Sequence, residues 1–247
     1  MIKLERSEKP EILHSRQAAW QQALDKAITV YGTYKDIPQK EKESLVSHYR
    51  NELIKQKLFE SSKDKCAFCE CKPAEGGNIE VEHFRPKSIY PHLTFEWTNF
   101  LPSCRKCNLS KLNHDTGVSP IVNPYDMDPE HFFYYEDIRI KAVAANSIAN
   151  NTIAVCSLNS IRLMKPRGEM LASLHDFAEA IECAISDFDN SMTPLKRNNR
   201  LRRISESIER IEQLSNREER YSGFCKYYLD KCEAYQSAKR LISEHSQ

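Results

Sequence analysis

The sequence predicts a mainly helical protein with a small α+β unit set between two helical blocks. The expected divisions are an N-terminal helical segment, residues 1–62, a compact unit, 63–125, and a C-terminal helical region, 126–247. Three observations predict this. Apolar residues recur at helical spacing on both sides of the middle. The middle itself is rich in Cys, His, Pro, Asn and Gly, with only short apolar runs. Only 6 glycines occur in 247 residues, which disfavours a turn-rich all-β chain.

The elements follow in order. Ala18, Trp20, Leu24, Ala27, Ile28 and Tyr31 mark a first helix, and Gly32 and Pro38 break it. Leu45, Tyr49, Leu53 and Leu58 give a second helix over 41–59. The composition changes at Lys63 and stays changed to about Tyr125. Residues 131–144 carry one or two short strands, and Thr152 and Ser160 are expected helix N-caps. Leu171, Leu174, Phe177, Ile181 and Ile185 line one face of a helix over 169–188. Pro194 opens another, in which Leu201, Ile204, Ile208 and Ile211 step by three and four. A last helix spans 221–242.

Composition excludes several classes. With 36 Lys+Arg against 35 Asp+Glu the net charge is +1, so this is no polycation, although a local basic groove is allowed. Hydrophobic content of 40% with 29% charged residues is a globular balance rather than a disordered one. No run of about 18 apolar residues exists, so no transmembrane helix is expected. The opening MIKLERSEKPEIL has no apolar secretory core, so a cytoplasmic location is expected. There disulfides rarely persist, and the 9 cysteines are read as metal ligands, core residues or reactive thiols. Cys156, Cys183, Cys225 and Cys232 are expected to be small buried hydrophobes.

The chemistry concentrates in one window. Cys66-Ala-Phe-Cys69 and Cys104-Arg-Lys-Cys107 are two CxxC pairs. One such pair alone can be redox-active. Two that close a short unit complete a tetrahedral zinc site, and four sulfurs leave no open position, so the zinc is structural. Cys71 is a fifth cysteine with no expected role. Between the pairs, the strand-like run Asn78-Ile-Glu-Val leads into Glu82-His83. On an extended strand these two side chains point to opposite faces, unless the turn at Phe84-Arg-Pro brings both to one site. Asn99 follows in Trp97-Thr-Asn, Asn108 directly follows the last cysteine, and Lys111 lies one helical turn on.

This order resembles the HNH endonucleases, the zinc-knuckle ββα-metal nucleases. In them a CxxC, an acidic-His pair, a central Asn, a second CxxC, a His or Asn and a Lys occur in that order. The matches are Cys66, Cys69, Glu82, His83, Asn99, Cys104, Cys107, Asn108 and Lys111. The chain departs in having Glu-His for the commoner Asp-His, and Asn for the last His. The phrases Cys66-Ala-Phe-Cys-Glu, Glu82-His-Phe-Arg-Pro-Lys-Ser and Phe95-Glu-Trp-Thr-Asn are similar to the HNH subunit of Septu-type anti-phage systems. Related subunits accompany some retrons. The resemblance implies a small ββα-metal unit, nuclease activity and an ABC/SMC-like, PtuA-type ATPase partner. It also implies that His83 is the general base and that Glu82 and Asn108 offer oxygens to one catalytic Mg²⁺ or Mn²⁺. Asn99 then ties the loop that holds His83.

Lys111, Arg85 and Lys87, with Arg105 and Lys106, form a basic set able to meet phosphates. His92 and His114 are left out of the site. Lys196, Arg197, Arg200, Arg202 and Arg203 make a second basic run, either a solvated helix start or an extension of a nucleic-acid groove. The apolar stripe beginning at Leu201 is either core or a docking face. No Walker A loop occurs, so ATP dependence belongs to a partner. Two rivals stand beside the nuclease: a zinc-knuckle nucleic-acid-binding module without catalysis, and a complex-assembly subunit with a decayed site. DNA is favoured as substrate, with RNA possible.

Overall fold

A computed structural model describes residues 1–73 and 79–245, so the expected strand residue Asn78 lies outside the described residues. The protein is mainly helical, with two small antiparallel hairpins. It divides into two compact units: Met1–Phe133 with Lys141–Leu158, and Tyr134–Ile140 with Asn159–Gln247. No helix among the described residues is long and apolar enough to cross a membrane.

The first unit opens with helix α1 (Glu11–Tyr31), which ends at Gly32, whose φ of 93° suits a residue without a side chain. The single helix expected over 41–59 is instead α2 (Gln39–Val46), a 3₁₀ turn at Ser47–Arg50, and α3 (Glu52–Ser61). Asn51 makes the break: its side chain accepts from the Leu53 amide at 2.9 Å and caps a new helix rather than continuing the old one. The break turns Tyr49 inward, where it is 7% exposed. Leu13, Leu24, Ile54, Leu58, Phe95 and Phe100 close the core beneath these helices.

Strands β1 (Ile79–His83) and β2 (Phe100–Cys104) pair antiparallel, with Glu82 opposite Leu101 and His83 opposite Phe100. Helix α4 (Arg105–Lys111) follows β2 without a loop, which gives the ββα order. Arg6 pins the turn before β2. Its guanidinium donates to the carbonyls of Trp97 at 2.8 Å, Phe100 at 3.0 Å and Thr98 at 3.0 Å. It also lies 3.9 Å over the Tyr125 ring. Strands β3 (Phe133–Glu136) and β4 (Arg139–Ala142) form the second hairpin, and α5 (Ser147–Val155) follows. Thr152 does not cap a helix. It lies inside α5, donating to Ile148 O at 2.7 Å and accepting from the Val122 amide at 2.8 Å.

The second unit packs α6 (Ile161–Asp189), α7 (Pro194–Gln213), α8 (Ser222–Lys231) and α9 (Glu233–His245). Ser160 is the α6 N-cap residue by position, without a side-chain cap. The expected helix over 221–242 breaks at Cys232, whose backbone is extended and whose sulfur accepts from the Tyr235 amide at 3.5 Å. Ile181, Phe188, Ile204 and Ile208 form the core, so the α7 stripe is interior. Cys156 and Cys225 are buried and Cys232 is half-buried. Cys183 differs from expectation and is exposed, on the outer face of α6.

Removing Arg6 takes three donated hydrogen bonds from the carbonyls of the turn before β2. Arg6→Ala is expected to cost about 2–4 kcal/mol in denaturant unfolding. Arg6→Lys should recover little, because one ammonium cannot serve three carbonyls in a fork.

Candidate active site and metal centre

The two knuckles meet at the junction of β2 and α4. Cys104 ends the strand and Cys107 sits in the first turn of α4. Cys66 and Cys69 lie on a tight turn, closed by the Glu70 amide donating to Cys66 O at 2.9 Å and tied to β2 by the Ala67 amide donating to Pro102 O at 2.9 Å. Glu70 takes a left-handed φ of 61° to complete that turn. The ligand atoms of Cys66, Cys69, Cys104 and Cys107 lie within 4.8 Å of one another, all buried. The Cys69 and Cys104 sulfurs are 3.8 Å apart. A tetrahedron with zinc–sulfur bonds of about 2.3 Å has edges of about that length. The cluster therefore has the ligand type, number and size to hold a zinc ion. Burial pushes the Cys66 thiol up, while the thiol of Cys107, followed by that of Cys66, pushes Cys104 down. Cys71 is half-buried, with its sulfur 3.3 Å from that of Cys69.

β1 places the rest. Its period of two turns Glu80 and Glu82 toward α4 and His83 toward Tyr49 and Phe100. The Lys111 ammonium donates to Glu82 Oε1 at 2.5 Å and to His83 O at 3.0 Å. Asn108 Nδ2 donates to Glu80 Oε2 at 2.5 Å. His83 is 5% exposed, its ring edge-on to Tyr49 at 4.6 Å and to Phe100 at 5.2 Å. His83 Nε2 lies 2.9 Å from Thr94 O. A carbonyl only accepts, so Nε2 carries the proton and Nδ1 keeps the lone pair. Asn99 accepts from the Arg85 amide at 2.8 Å and donates to Arg85 O at 3.0 Å and Leu93 O at 3.1 Å. From the far end of the loop between the strands, it thus ties down the loop's start and middle.

Although Glu82 and His83 leave the strand on opposite faces, both reach one pocket of about 190 Å³ at the end of β1. Asn108, Lys87 and Tyr49 also line it. The structure therefore gathers four of the expected site residues, Glu82, His83, Asn108 and Lys87, around one space. Asn99 stands behind it on the loop. Lys111 is placed otherwise than expected: it is 2% exposed and turned onto Glu82 rather than toward solvent, where a phosphate would be. Arg85 is exposed, 5.3 Å over the Tyr90 ring. His92 and His114 do not line the pocket. In α7, Arg200 pairs with Asp187, Arg202 lies 3.6 Å from Glu206, and Arg197 covers the Phe188 ring at 4.7 Å.

Burial pushes the Glu82 carboxyl up to about 7, against the opposing pull of Lys111. Burial, reinforced by Lys87, holds the His83 imidazole down to about 3. The ring is therefore neutral at physiological pH. Sequence reasoning missed Glu80, Tyr49 and Thr94. Glu80 had a signal, since it stands two residues before Glu82 on a strand. Tyr49 and Thr94 had none.

No family model matches the chain. It is 40% identical over 116 residues to the Septu protein PtuB of Bacillus thuringiensis, covering 46% of this chain and 44% of that protein. It is 33% identical over 88 residues to the Septu protein PtuB of Bacillus mycoides (strain KBAB4), covering 30% and 29%. It is 28% identical over 105 residues to protein ea31 of Escherichia phage lambda, covering 41% and 34%. The chain thus spans less than half the length of each relative it matches.

A structural zinc supplies much of the folding energy of a small unit. Cys104→Ser is expected to lose zinc by elemental analysis and to abolish the cooperative melt of the first unit. Cys71→Ser should keep both. Full zinc content in Cys104→Ser would show that the ligand set is different.

Proposed function

We propose that this chain is a metal-dependent HNH-type endonuclease that hydrolyses phosphodiester bonds in nucleic acid, with DNA favoured over RNA. We place it in a Septu-type anti-phage system, where it works with an ATPase subunit. The observation that carries the nuclease reading is the single pocket into which Glu82, His83 and Asn108 all open. The similarity to Septu PtuB supports the defence setting.

The donor set fits a hard cation. A carboxylate and a carboxamide offer oxygen, and Mg²⁺ or Mn²⁺ needs only one or two protein ligands because it keeps several waters. When bound, such an ion polarises the scissile phosphate and stabilises charge on the leaving oxygen. Glu82 and Asn108 are the residues that hold it. Glu80 fixes which way Asn108 faces: a carboxylate accepts only, so the amide nitrogen turns to Glu80 and Oδ1 is left for the pocket. Lys111 keeps the Glu82 carboxylate in position.

His83 takes the proton of the attacking water at Nδ1. Its Nε2–H bond to Thr94 O fixes the tautomer and the ring plane. Burial is the larger cause of the ring's low basicity; the smaller part, owed to Lys87 and Lys111, is offset when an anionic phosphodiester fills the pocket, which raises the basicity of the ring. Lys87 and Arg85 are the phosphate-facing cations of this reading.

A second reading, a nucleic-acid-binding module without catalysis, is favoured by one observation: Lys111 already occupies the carboxylate that would hold the ion. Cleavage separates the two. The chain should cut plasmid DNA with Mg²⁺ or Mn²⁺, and His83→Ala should lower the rate by about 10²–10⁴-fold with zinc content intact and a melt that is lower but still cooperative. His83→Gln, which fills more of the buried volume, should behave alike. Equal cutting by both variants and the wild type would remove His83 from the chemistry.

The ion requires Glu82 ionised, so Mn²⁺ affinity should rise with pH up to about 7 and level off above it. Glu82→Gln should flatten that dependence. Glu80→Gln should weaken Mn²⁺ binding without loss of zinc, because a glutamine amide can donate to Asn108 Oδ1 and turn it from the pocket. Electron paramagnetic resonance of Mn²⁺ reads both effects.

A further inference from the structure

A second and larger cavity adjoins the pocket that holds His83. It measures about 510 Å³ and is walled by α2, the residues before it, and the loop after β1. The two cavities share Lys87 and Asn113 in their linings and so adjoin along a common wall. The lining of the larger one is cationic. Lys35, Lys42, Arg50 and Lys87 face it against one carboxylate, Glu43, which Arg50 already holds at 2.5 Å. The Lys42 ammonium donates to Lys35 O at 3.0 Å and sits 5.4 Å from the Tyr34 ring centre. Lys87 stands 5.1 Å over the Tyr49 ring, between the two cavities.

We propose that this trough is a binding site for the phosphodiester backbone on one side of the scissile bond, and that Lys35 and Lys42 are its phosphate-binding residues. The inference rests on the nuclease reading and extends it to helices outside the ββα core. A polyanion is the matching ligand because, among the described residues lining the trough, four cations face one carboxylate. Nucleic acid is the matching polyanion because Lys87 belongs to both cavities. A strand whose scissile phosphate lies beside His83 must pass Lys87, and its next phosphates then meet Lys42 and Lys35. An acidic protein partner would have no reason to share a wall with the reactive pocket. The contacts run to phosphate and not to base edges, so the trough adds affinity and register without sequence preference.

The test uses the full chain and its Lys35→Ala/Lys42→Ala variant, with Lys35→Glu/Lys42→Glu as a stronger form. Binding to a fluorescent DNA oligonucleotide, without added Mg²⁺ or Mn²⁺, is measured against salt concentration. Each lost phosphate contact lowers the slope of log K on log salt by about 0.7–0.9, so the double variant should lose about twice that. At about 0.1 M salt it should bind on the order of tenfold more weakly. Hydrolysis of bis(p-nitrophenyl) phosphate, too small to reach the trough, should match the wild type, and zinc content should be unchanged. An unaltered salt slope in both variants, beside a wild type that binds and cuts, would overturn the trough alone. Unaltered DNA binding together with lost binding to the ATPase subunit would reassign it to an acidic protein surface. A wild type that hydrolyses neither DNA nor the small ester would instead overturn the nuclease reading on which the inference rests.

Discussion

Everything at the candidate site depends on where α4 begins relative to β1, and four sulfurs fix that point. Cys104 closes β2 and Cys107 opens α4, while Cys66 and Cys69 hold the preceding turn against the same junction. A seven-residue helix has little stability of its own. Its direction is set by this clamp, and the direction in turn brings Asn108 over Glu80 and Lys111 over Glu82. The zinc-type cluster and the pocket are thus one mechanical unit. A shift of α4 by a fraction of a turn would separate every polar pair beside the cluster.

Those pairs are unusually confined. Glu82, His83, Asn99 and Lys111 are all buried, and each has a named partner. Burying charge is costly unless it is paired, and an ammonium on the carboxylate meets that requirement in the absence of another cation. A divalent ion offers a stronger partner for the same oxygen. In the proposed mechanism the carboxylate then has two alternative counter-charges: Lys111 from behind, and a hard cation from the pocket side. Placing the ring of His83 between Tyr49 and Phe100 serves the same economy of motion, since neither neighbour lets the imidazole rotate away from Thr94.

Much of this was legible in the sequence because the relevant signals are local. Two CxxC pairs, a strand ending in Glu-His and a helix starting at the last cysteine each occupy a few residues, and the structure brings the four cysteines together as their spacing implies. The breaks in the helices were less legible. Asn51 and Cys232 interrupt patterns whose apolar period alone reads as continuous, because capping competes with periodicity at a single residue. The burial of Lys111 was not legible at all. A lysine one turn beyond Asn108 is consistent with solvent or with a carboxylate, and only the height of Glu82 on β1 decides. Lys35 and Lys42 lie far from Lys87 in sequence and meet it only through the fold.

The central claim is that the pocket at the end of β1 holds a hard divalent cation on Glu82 and Asn108. Anomalous diffraction from crystals soaked in Mn²⁺ tests it directly. The account predicts a zinc-edge peak among the four cysteine sulfurs and a separate manganese-edge peak in the pocket, with oxygens of Glu82 and Asn108 as protein ligands. A pocket without manganese at saturating concentration, with Lys111 still seated on Glu82, would contradict it.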